Sequence, residues 1–376
     1  MKYLKNIFTL FVISLLLLCA SCAGGKKGGA PVDGDAVPMR YASLLTITEC
    51  DGYTVVDIAD PWSEKLLQRY LLVPAESALP ATLPDGVLLR TPLEKNILFS
   101  GVHAGLLDEL GVAASIKGVC DARYFYCEAI AEGLAAGEIV DCGSSLNVDA
   151  EAVMQVTPDA IFVLPYENGG FGKLENLGFP LILCADYMEG SPLGCAEWMR
   201  FYGRLFGLAA RCDSLFDAVC NEYESLREKA LAADNHPKLM CELKSKSAWY
   251  VPCSESTMGR MYADAGADYL FSHCKGSGSV PLSYEVVLDK ASEADIWLFK
   301  YNSEVDKTCA SLLADFAGYS HFKPFKENNI YACNTHRKHL FEETAFHPER
   351  LLRELIAMLH PGILLDYTMC YYEKVY

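Results

Sequence analysis

The stretch SPLGCAEWMRFYGRLFGLAARCDSLFDAVCNEYESLREKALAADNHP, residues 191–237, decides the fold. The pair Ser191-Pro192 is typical of a helix start, because serine caps free N–H groups and proline has no N–H to satisfy. Gly207 interrupts the run, and apolar residues then recur at helical spacing over residues 208–232. The roughly 24 residues after the glycine would span about 36 Å. The pattern predicts either a strut between two lobes or an ordinary long surface helix.

Short strands alternate with helices on both sides of this stretch. The predicted strands are 96–99, 116–120, 160–164 and 180–184 in the first half, and 238–243, 295–299 and 329–333 in the second. The predicted helices are 103–110 and 149–156, then 256–265, 284–290 and 348–360. Short continuous apolar runs between helices are typical of parallel sheets covered on both faces. The sequence therefore predicts an α/β protein with two Rossmann-like lobes joined by one long helix.

Four short β-like runs between residues 41 and 90 precede the first lobe, separated by turn signals such as Asp51-Gly52. They predict an N-terminal β meander on that lobe. The expected division is then a first lobe with its meander at 41–207, a connecting helix at 208–236 and a second lobe at 237–376.

The N-terminus has the layout of an export signal. Two lysines and a short apolar core occupy residues 1–21, and the core is too short to span a bilayer comfortably. Cys19-Ala20-Ser21-Cys22 resembles a bacterial lipobox with cysteine in place of the usual leucine, which implies lipidation of Cys22. The glycine-rich residues 22–40 have the composition of a flexible tether. We expect an exported protein, anchored by lipid to a membrane of the cell envelope on its periplasmic side.

Composition excludes one class of partner. The net charge is −17, so the chain lacks the basic excess that a nucleic-acid-binding surface needs. Of the 16 cysteines, Cys19 and Cys22 belong to the signal and the lipobox, and the other 14 include no Cys-x-x-Cys pair and are scattered among apolar segments. Zinc ribbons and thioredoxin-like chemistry are therefore not expected, and most of the thiols are expected to be free.

The two halves share a local pattern. Glu151 and Glu285 each lie in the first turn of a predicted helix that leads into a strand. Taken alone, each glutamate could simply complement a helix dipole, which contributes about 0.3–1 kcal/mol.

Residues 94–360 resemble the Fe/cobalamin type of ABC-importer substrate-binding protein. The resemblance is carried by LNVDAE (146–151) with TPD (157–159), and by GSVPLSYE (278–285) with Ala294-Asp295. PLGCAEW (192–198) and LHP (359–361) are similar to lipoproteins of this family from gut Bacteroidetes. The family has two α/β lobes bridged by one helix, with ligand held between them. The resemblance implies a monomeric binding protein, not an enzyme, whose ligand is a metal chelate (iron siderophore, haem or cobalamin) and which needs no separate cofactor.

The resemblance also implies a partner. In the family, one glutamate on each lobe contacts arginines of the membrane permease, and these match Glu151 and Glu285. The expected partners are therefore an ABC permease and its ATPase, as well as the membrane that carries the anchor.

The ligand site is expected in the loops that follow the strands, since ligands of open α/β sheets bind beyond the carboxyl ends of strands. Aromatic rings there suit a macrocycle or an aromatic chelate, and the cations suit carboxylate or catecholate oxygens. The candidate ligand-binding residues are His103, Arg123, Tyr124, Tyr126, Tyr166, Phe171, Trp249, Tyr250, Lys300, Tyr301 and Arg337.

Two alternatives stay open. His103, His336 and His339 are an alternative ligand set for a bare ion such as zinc or manganese, although Arg337 and Lys338 would place positive charge beside it. The second alternative is a metal-dependent enzyme on a nitrogenase- or chelatase-like bilobed scaffold. The chain has no Gly-x-Ser-x-Gly, P-loop or Gly-x-Gly-x-x-Gly motif that would favour catalysis.

Overall fold

The structure, a computed structural model of the chain, describes residues 32–63 and 65–376. The predicted signal at 1–21, the lipidation residue Cys22 and the tether as far as residue 31 lie outside these residues. No helix within the described ranges combines the length and the apolar character needed to cross a bilayer.

A five-stranded sheet opens the described chain, in the order β1-β2-β3-β4-β5. Its strands are β1 (Asp35–Ala36), β2 (Leu45–Cys50), β3 (Tyr53–Ala59), β4 (Leu66–Pro74) and β5 (Val87–Thr91). Neighbours are antiparallel except for β4 and β5. The buried Tyr70 hydroxyl on β4 donates to the carbonyl of Leu181 and accepts from the N–H of Leu183, both at 2.8 Å. The predicted β meander is confirmed, and it packs on the edge of the first lobe.

Ordered structure begins earlier than the sequence predicts. Strand β1 pairs with β2, and the N–H groups of Arg40, Tyr41 and Ala42 donate to the Glu197 carboxylate at 2.8–3.0 Å. Glu197 is 0% exposed, and a buried carboxylate needs such donors to replace water. The prediction of a flexible tether through residue 40 is therefore wrong for residues 35–40.

The first lobe is built on a five-stranded parallel sheet in the order β12-β11-β6-β7-β8. The strands of this lobe are β6 (Asn96–Leu98), β7 (Ile116–Val119), β8 (Val140–Asp141), β9 (Gly143–Ser144), β10 (Asn147–Val148), β11 (Ala160–Val163) and β12 (Leu181–Leu183). Strands β9 and β10 form a separate antiparallel hairpin. All four residues of β11 are buried, as expected for a strand covered on both faces.

The second lobe repeats this plan. Its main sheet has the order β16-β13-β18-β19-β20, and only its β19–β20 pair is antiparallel. The strands are β13 (Lys238–Cys241), β14 (Lys244–Ser245), β15 (Ala248–Pro252), β16 (Asp268–Tyr269), β17 (Ser279–Leu282), β18 (Ile296–Tyr301), β19 (Ile330–Asn334) and β20 (Glu373–Lys374). Strands β14, β15 and β17 make a small antiparallel sheet. The predicted two-lobed α/β architecture is confirmed.

Helices cover the sheets and connect the lobes. They are α1 (Gly101–Glu109), α2 (Glu128–Ala136), α3 (Ala150–Val156), α4 (Pro192–Glu197), α5 (Met199–Leu205), α6 (Ala209–Leu231), α7 (Thr257–Asp264), α8 (Tyr284–Ala291), α9 (Cys309–Asp315), α10 (Lys323–Lys326), α11 (Leu340–Thr344) and α12 (Pro348–Leu359). Ser191 caps α4 by accepting from the N–H of Gly194 at 3.0 Å. The start signal in the sequence is thus used, but by a short helix that precedes the long one.

Helix α6 is the predicted strut. Its 23 residues span about 35 Å. Near its start, Arg211 donates to the carbonyls of Leu110 and Glu109 in the first lobe, at 2.9 and 2.8 Å. Near its end, Tyr223 donates to the Asp264 carboxylate of the second lobe at 2.8 Å. The helix therefore contacts both lobes, whereas residues 232–236, predicted as part of the connecting helix, lie beyond its end.

The lobes also meet directly, where α11 of the second lobe packs against α1 of the first. A Cβ atom added at Gly101 would collide with the Glu342 carboxylate, and one at Gly105 would collide with the Glu342 backbone. The Glu342 carboxylate accepts the N–H of Tyr126 from the first lobe at 2.8 Å. Two glycines one helical turn apart thus permit the close approach of the lobes.

A charged cluster holds the same interface at the far end of α1. The imidazole of His347 lies 2.7 Å from the Glu109 carboxylate and 2.9 Å from that of Glu349. Burial disfavours the charged imidazole, but the hydrogen bonds to Glu109 and Glu349 outweigh burial and raise the pKa of His347. His347 therefore links a glutamate of the first lobe to one of the second.

Trp249 lies at the centre of the second lobe. Its indole is 0% exposed and its Nε1–H donates to the Cys241 carbonyl at 2.9 Å. The rings of Trp297, Tyr319 and Phe322 surround it with centroids 5.6–5.9 Å away. Tyr250, next along β15, is 50% exposed, because successive side chains of a strand point to opposite faces.

Replacing His347 by glutamine should lower the free energy of unfolding by roughly 1.5–3 kcal/mol at pH 6. Because the folded-state pKa is raised, this stabilisation is complete below the unfolded value of about 6.5 and is lost as pH rises through the folded value. Urea denaturation at pH 6 and pH 9 should therefore show a larger deficit at pH 6. The exposed His273→Gln is the control, and an equal deficit at both pH values would contradict the assigned ion pairs.

Trp249→Phe should lower the free energy of unfolding by about 2 kcal/mol, because it leaves a void and removes the donor to Cys241. Tyr250→Phe, one residue away on the exposed face, should change it by less than about 0.5 kcal/mol. Thermal or urea unfolding of the two variants side by side measures the difference. Similar losses in both would be inconsistent with the described alternation on β15.

Candidate functional site

The candidate site is the cleft between the lobes, onto which the carboxyl ends of the parallel strands open. Three cavities of about 550, 560 and 440 Å³ lie there. Leu164, the residue directly after β11, lines all three, and Phe341 of α11 lines two of them. The cavities are thus adjacent parts of one cleft with walls from both lobes.

The cavity of about 560 Å³ lies between the lobes. From the first lobe, Tyr124 and Tyr126 line it, as the sequence predicts. From the second lobe, His339 stacks on Tyr126 with ring centroids 5.4 Å apart and planes 14° from parallel. The Asn302 amide lies 3.5 Å from the Tyr126 hydroxyl. Tyr126 is therefore held from across the cleft, whereas Tyr124 is 53% exposed and available to a ligand.

The cavity of about 550 Å³ belongs to the first lobe alone. Tyr166 and Phe171 line it, together with the hairpin residue Leu146. The Tyr166 hydroxyl donates to the Gly170 carbonyl at 3.0 Å, which closes the glycine-rich loop on itself. Leu146 is 97% exposed and Tyr166 58%. This wall of the cleft is apolar and uncovered.

The cavity of about 440 Å³ has the most apolar lining of the three. His103 and Asp186 of the first lobe and Lys300 of the second line it. Lys300 lies 3.0 Å from the Glu242 carboxylate. Burial disfavours its charged form, but Glu242 and the neighbouring Tyr372 and Cys241 outweigh burial and raise the pKa of Lys300. Lys300 is therefore a charged group already matched by a carboxylate.

The two predicted arginines are placed away from the three cavities. Arg337 donates to the Glu304 carbonyl at 2.8 Å and lies 3.4 Å from the Asp306 carboxylate. Arg123 covers the ring of Tyr124, with its guanidinium carbon 4.7 Å from the centroid. Arg337 is thus a surface ion pair, and Arg123 reaches the cleft only through the ring that it stacks on.

Three other predicted ligand contacts require correction. Trp249 is in the core of the second lobe, because the segment predicted as a loop forms strand β15. Tyr250 lies on the outer face of the small sheet and lines none of the three cavities. Tyr301 lines a separate polar cavity, and its hydroxyl accepts the N–H of Lys307 at 3.0 Å. None of the three side chains faces the cleft.

The alternative metal set is not assembled. His336 is exposed and His339 stacks on Tyr126, whereas His103 is 2% exposed. Within the described residues, the histidine, cysteine and carboxylate groups close enough to share an ion are His103, Cys184 and Asp186. The prediction that His103, His336 and His339 form one metal site is therefore wrong.

His103 sits in a buried polar cluster at the back of the 440 Å³ cavity. Its Nε2 lies 3.2 Å from Asp186 Oδ1 and 3.3 Å from the Tyr202 hydroxyl, which donates to the same carboxylate oxygen at 2.6 Å. Burial opposes protonation of the ring, but the adjacent Cys184 and Asp186 outweigh it and raise the pKa of His103 to about 10.

The sequence did not single out Leu164 or Phe341, and it indicated Asn302 only as part of the loop 300–302 that follows a predicted strand. Leu164 is the last residue of the predicted strand 160–164, so its place at a strand end was a usable signal, but a leucine there resembles any core residue. Phe341 reaches the cleft only because α11 of the second lobe packs against the first lobe. No local pattern marks that kind of contact.

Glu151 and Glu285 both lie exposed in the first turns of helices, α3 and α8. Asp149 caps α3 by accepting from the N–H of Glu151 at 3.0 Å, and Ser283 caps α8. Hydrogen bonds from its own backbone N–H and from Ser283 lower the pKa of Glu285. Each lobe therefore presents one capped helix start that carries an exposed carboxylate.

Two curated relatives of the chain are uncharacterized lipoproteins of Methanocaldococcus jannaschii. One is 25% identical over 323 residues, covering 80% of this chain and 76% of the relative. The other is 22% identical over 351 residues, covering 90% and 86%.

Similar solved structures share the fold. A periplasmic haem-binding protein from Pseudomonas aeruginosa superposes with a TM-score of 0.59 at 14% identity, over 76% of this chain and 98% of that one. A possible iron-binding periplasmic solute-binding protein from Staphylococcus epidermidis gives a TM-score of 0.56 at 15% identity, over 72% and 100%.

A sequence model of the family "Periplasmic binding protein" matches residues 99–335. The match begins directly after β6 and ends directly after β19, so it includes residues of both lobes and all of α6 but not α11. The chain therefore belongs to the periplasmic binding protein family, a family of solute-binding proteins and not of enzymes.

Proposed function

We propose that this protein is the substrate-binding lipoprotein of an ABC importer, which captures a metal chelate between its lobes and delivers it to a permease. The chelate classes that fit are an iron siderophore, haem and cobalamin. The observation that carries the proposal is the continuous apolar cleft that Leu164 and Phe341 line from opposite lobes. Relatives named as lipoproteins support the envelope location and the lipid anchor on Cys22.

The size and lining of the cleft favour a large, flat ligand. Small-molecule sites have volumes of about 300–1,000 Å³ and are lined mostly by apolar and aromatic groups. Each of the three adjacent cavities falls in that range. Three aromatic side chains of the cleft are each more than half exposed: Tyr124, Tyr166 and Phe341. A ligand that covers these rings would be stabilised, because it removes their apolar surface from water.

The charges of the cleft favour a chelate with little net charge. Lys300 is matched by Glu242, and Lys338 lies 2.8 Å from the Glu373 carboxylate. An anionic ligand would have to compete with these carboxylates for the cations. A macrocyclic chelate whose charge lies at its rim, or a neutral chelate, avoids that competition.

Binding can be tested with three probes: hemin, cyanocobalamin and a ferric hydroxamate siderophore. We expect one of them to saturate the purified protein at one molecule per chain, followed by tryptophan quenching or visible absorption. Tyr124→Ala and Phe341→Ala should each raise its Kd about tenfold or more, because they remove exposed aromatic walls from opposite lobes. Tyr250→Ala is the control outside the cleft. If no probe binds, or if Tyr250→Ala weakens binding equally, the proposed site is wrong.

We further propose that Glu151 and Glu285 dock the loaded, monomeric protein onto the permease and its ATPase. Two exposed carboxylates in matching helix starts would suit a two-fold permease with one arginine site per half. Interfacial charges of this kind set orientation and association rate more than affinity. The likeness to lipoproteins of gut Bacteroidetes remains a prediction, since the curated relatives above are archaeal.

The double substitution of Glu151 and Glu285 by alanine should leave ligand Kd unchanged and lower uptake into cells about tenfold or more. Glu128 and Glu293, which are also exposed and lie on the first and second lobe, supply a matched control pair. If uptake is unchanged in the Glu151/Glu285 double variant, or falls equally in the Glu128/Glu293 control variant, the docking role is refuted. The binding proposal is not affected by either result.

A further inference from the structure

We propose that His103, Cys184 and Asp186 bind one thiophilic divalent cation of the Zn²⁺ type, at a site behind the chelate cleft. The site is built within the first lobe and is separate from any metal that a captured chelate would carry. Tyr202 is its positioning residue, because its hydroxyl holds the Asp186 carboxylate.

The three side chains come from two neighbouring parts of the fold. Cys184 directly follows β12, and Asp186 lies two residues later in a 3-10 turn. His103 is in the first turn of α1, which starts after β6. Their exposures are 0%, 4% and 2%. The cluster is therefore preformed on secondary structure and shielded from solvent.

The spacing is close to that of a tetrahedral site. One ligand atom from each residue lies within 4.8 Å of the others, and His103 Nε2 is 3.2 Å from Asp186 Oδ1. Zinc bonds of about 2.0–2.3 Å place neighbouring ligand atoms about 3.3–3.7 Å apart. Small side-chain shifts would therefore bring all three atoms to bonding distance of one ion.

The donor set selects the kind of ion. A thiolate, an imidazole and a carboxylate suit zinc better than magnesium or calcium, which prefer oxygen ligands alone. The thiolate of Cys184 and the carboxylate of Asp186 together balance a dication, so the filled site is neutral. Neutrality matters because an unbalanced charge at this depth would be strongly disfavoured.

Hydrogen bonding among the described residues satisfies the cluster only in part. His103 Nδ1 is buried and has no hydrogen-bond partner there. His103 and Asp186 also line the 440 Å³ cavity, which gives an ion a route from the cleft. Lys300 lines the same cavity, but it lies 3.0 Å from Glu242, so a carboxylate already offsets its charge.

The test is cobalt substitution in the purified protein after treatment with a chelator. Co²⁺ bound by a cysteine gives a thiolate-to-metal charge-transfer band in the near ultraviolet and d–d bands in the visible. We expect both bands to saturate at one equivalent per chain, zinc to remove them, and Cys184→Ser to abolish the charge-transfer band. Elemental analysis of the zinc-loaded protein should give one zinc per chain.

Cys241→Ser is the matched control. Cys241 is likewise 0% exposed, ends a parallel strand and lies 3.4 Å from a tyrosine hydroxyl, that of Tyr269. The Cys241→Ser protein should keep the charge-transfer band. Tyr202→Phe should keep the band as well but weaken cobalt affinity about 10–100-fold, as losses of outer-sphere partners do.

Circular dichroism of each metal-free variant separates loss of the site from loss of the fold, and Asp186→Asn provides a second ligand variant. A folded wild type that shows no charge-transfer band with Co²⁺ would overturn the proposal. So would a band that persists in Cys184→Ser or disappears equally in Cys241→Ser. The hemin, cobalamin and siderophore titrations are scored separately, so either proposal can fail without the other.

Discussion

Helix α6 is fastened to the first lobe by Arg211 and to the second by Tyr223, and the rest of the molecule depends on these two attachments. The parallel sheets place their loops at their carboxyl ends, but only a fixed connection makes two sets of loops face each other. The glycines of α1 then let α11 approach until Glu342 meets the backbone of Tyr126. These contacts fix the relative positions of the cleft, its aromatic walls and the two helix starts at Glu151 and Glu285.

Most of the fold was predictable because its signals are local. Buried parallel strands appear in the sequence as short apolar runs, and the long helix begins within one residue of its predicted start, although it ends at Leu231, five residues before the predicted end at 236. The errors came from segments whose structure depends on distant partners. Residues 35–40 have the composition of a tether, but β2 holds residues 35–36 and Glu197 holds Arg40. Trp249 was expected in a loop but faces inward from β15. Most of the thiols were expected to be free, and the 14 cysteines of the described residues all are.

The candidate site was predictable in its location but only partly in its residues. Tyr124, Tyr126, Tyr166 and Phe171 lie where the strand-end rule puts them. The same rule predicted Tyr301 and Arg337, but their side chains line a separate polar cavity. A position directly after a strand does not fix the direction in which the side chain points. The sequence analysis named His103 but not Cys184 or Asp186. His103 follows β6 and the other two follow β12, and they become neighbours only because both strands lie in the same sheet.

Glu197 has a consequence for how the chain assembles during synthesis. Its donors at Arg40, Tyr41 and Ala42 precede it by 155–157 residues, so these three N–H groups cannot reach their acceptor until the chain has been made as far as residue 197. Closing so long a loop costs entropy that only cooperative packing can offset. Since domains fold largely as units in order of synthesis, the first lobe should remain open to translocation or chaperone binding until α4 emerges. The Glu197 carboxylate can thus fix residues 40–42 only late in synthesis.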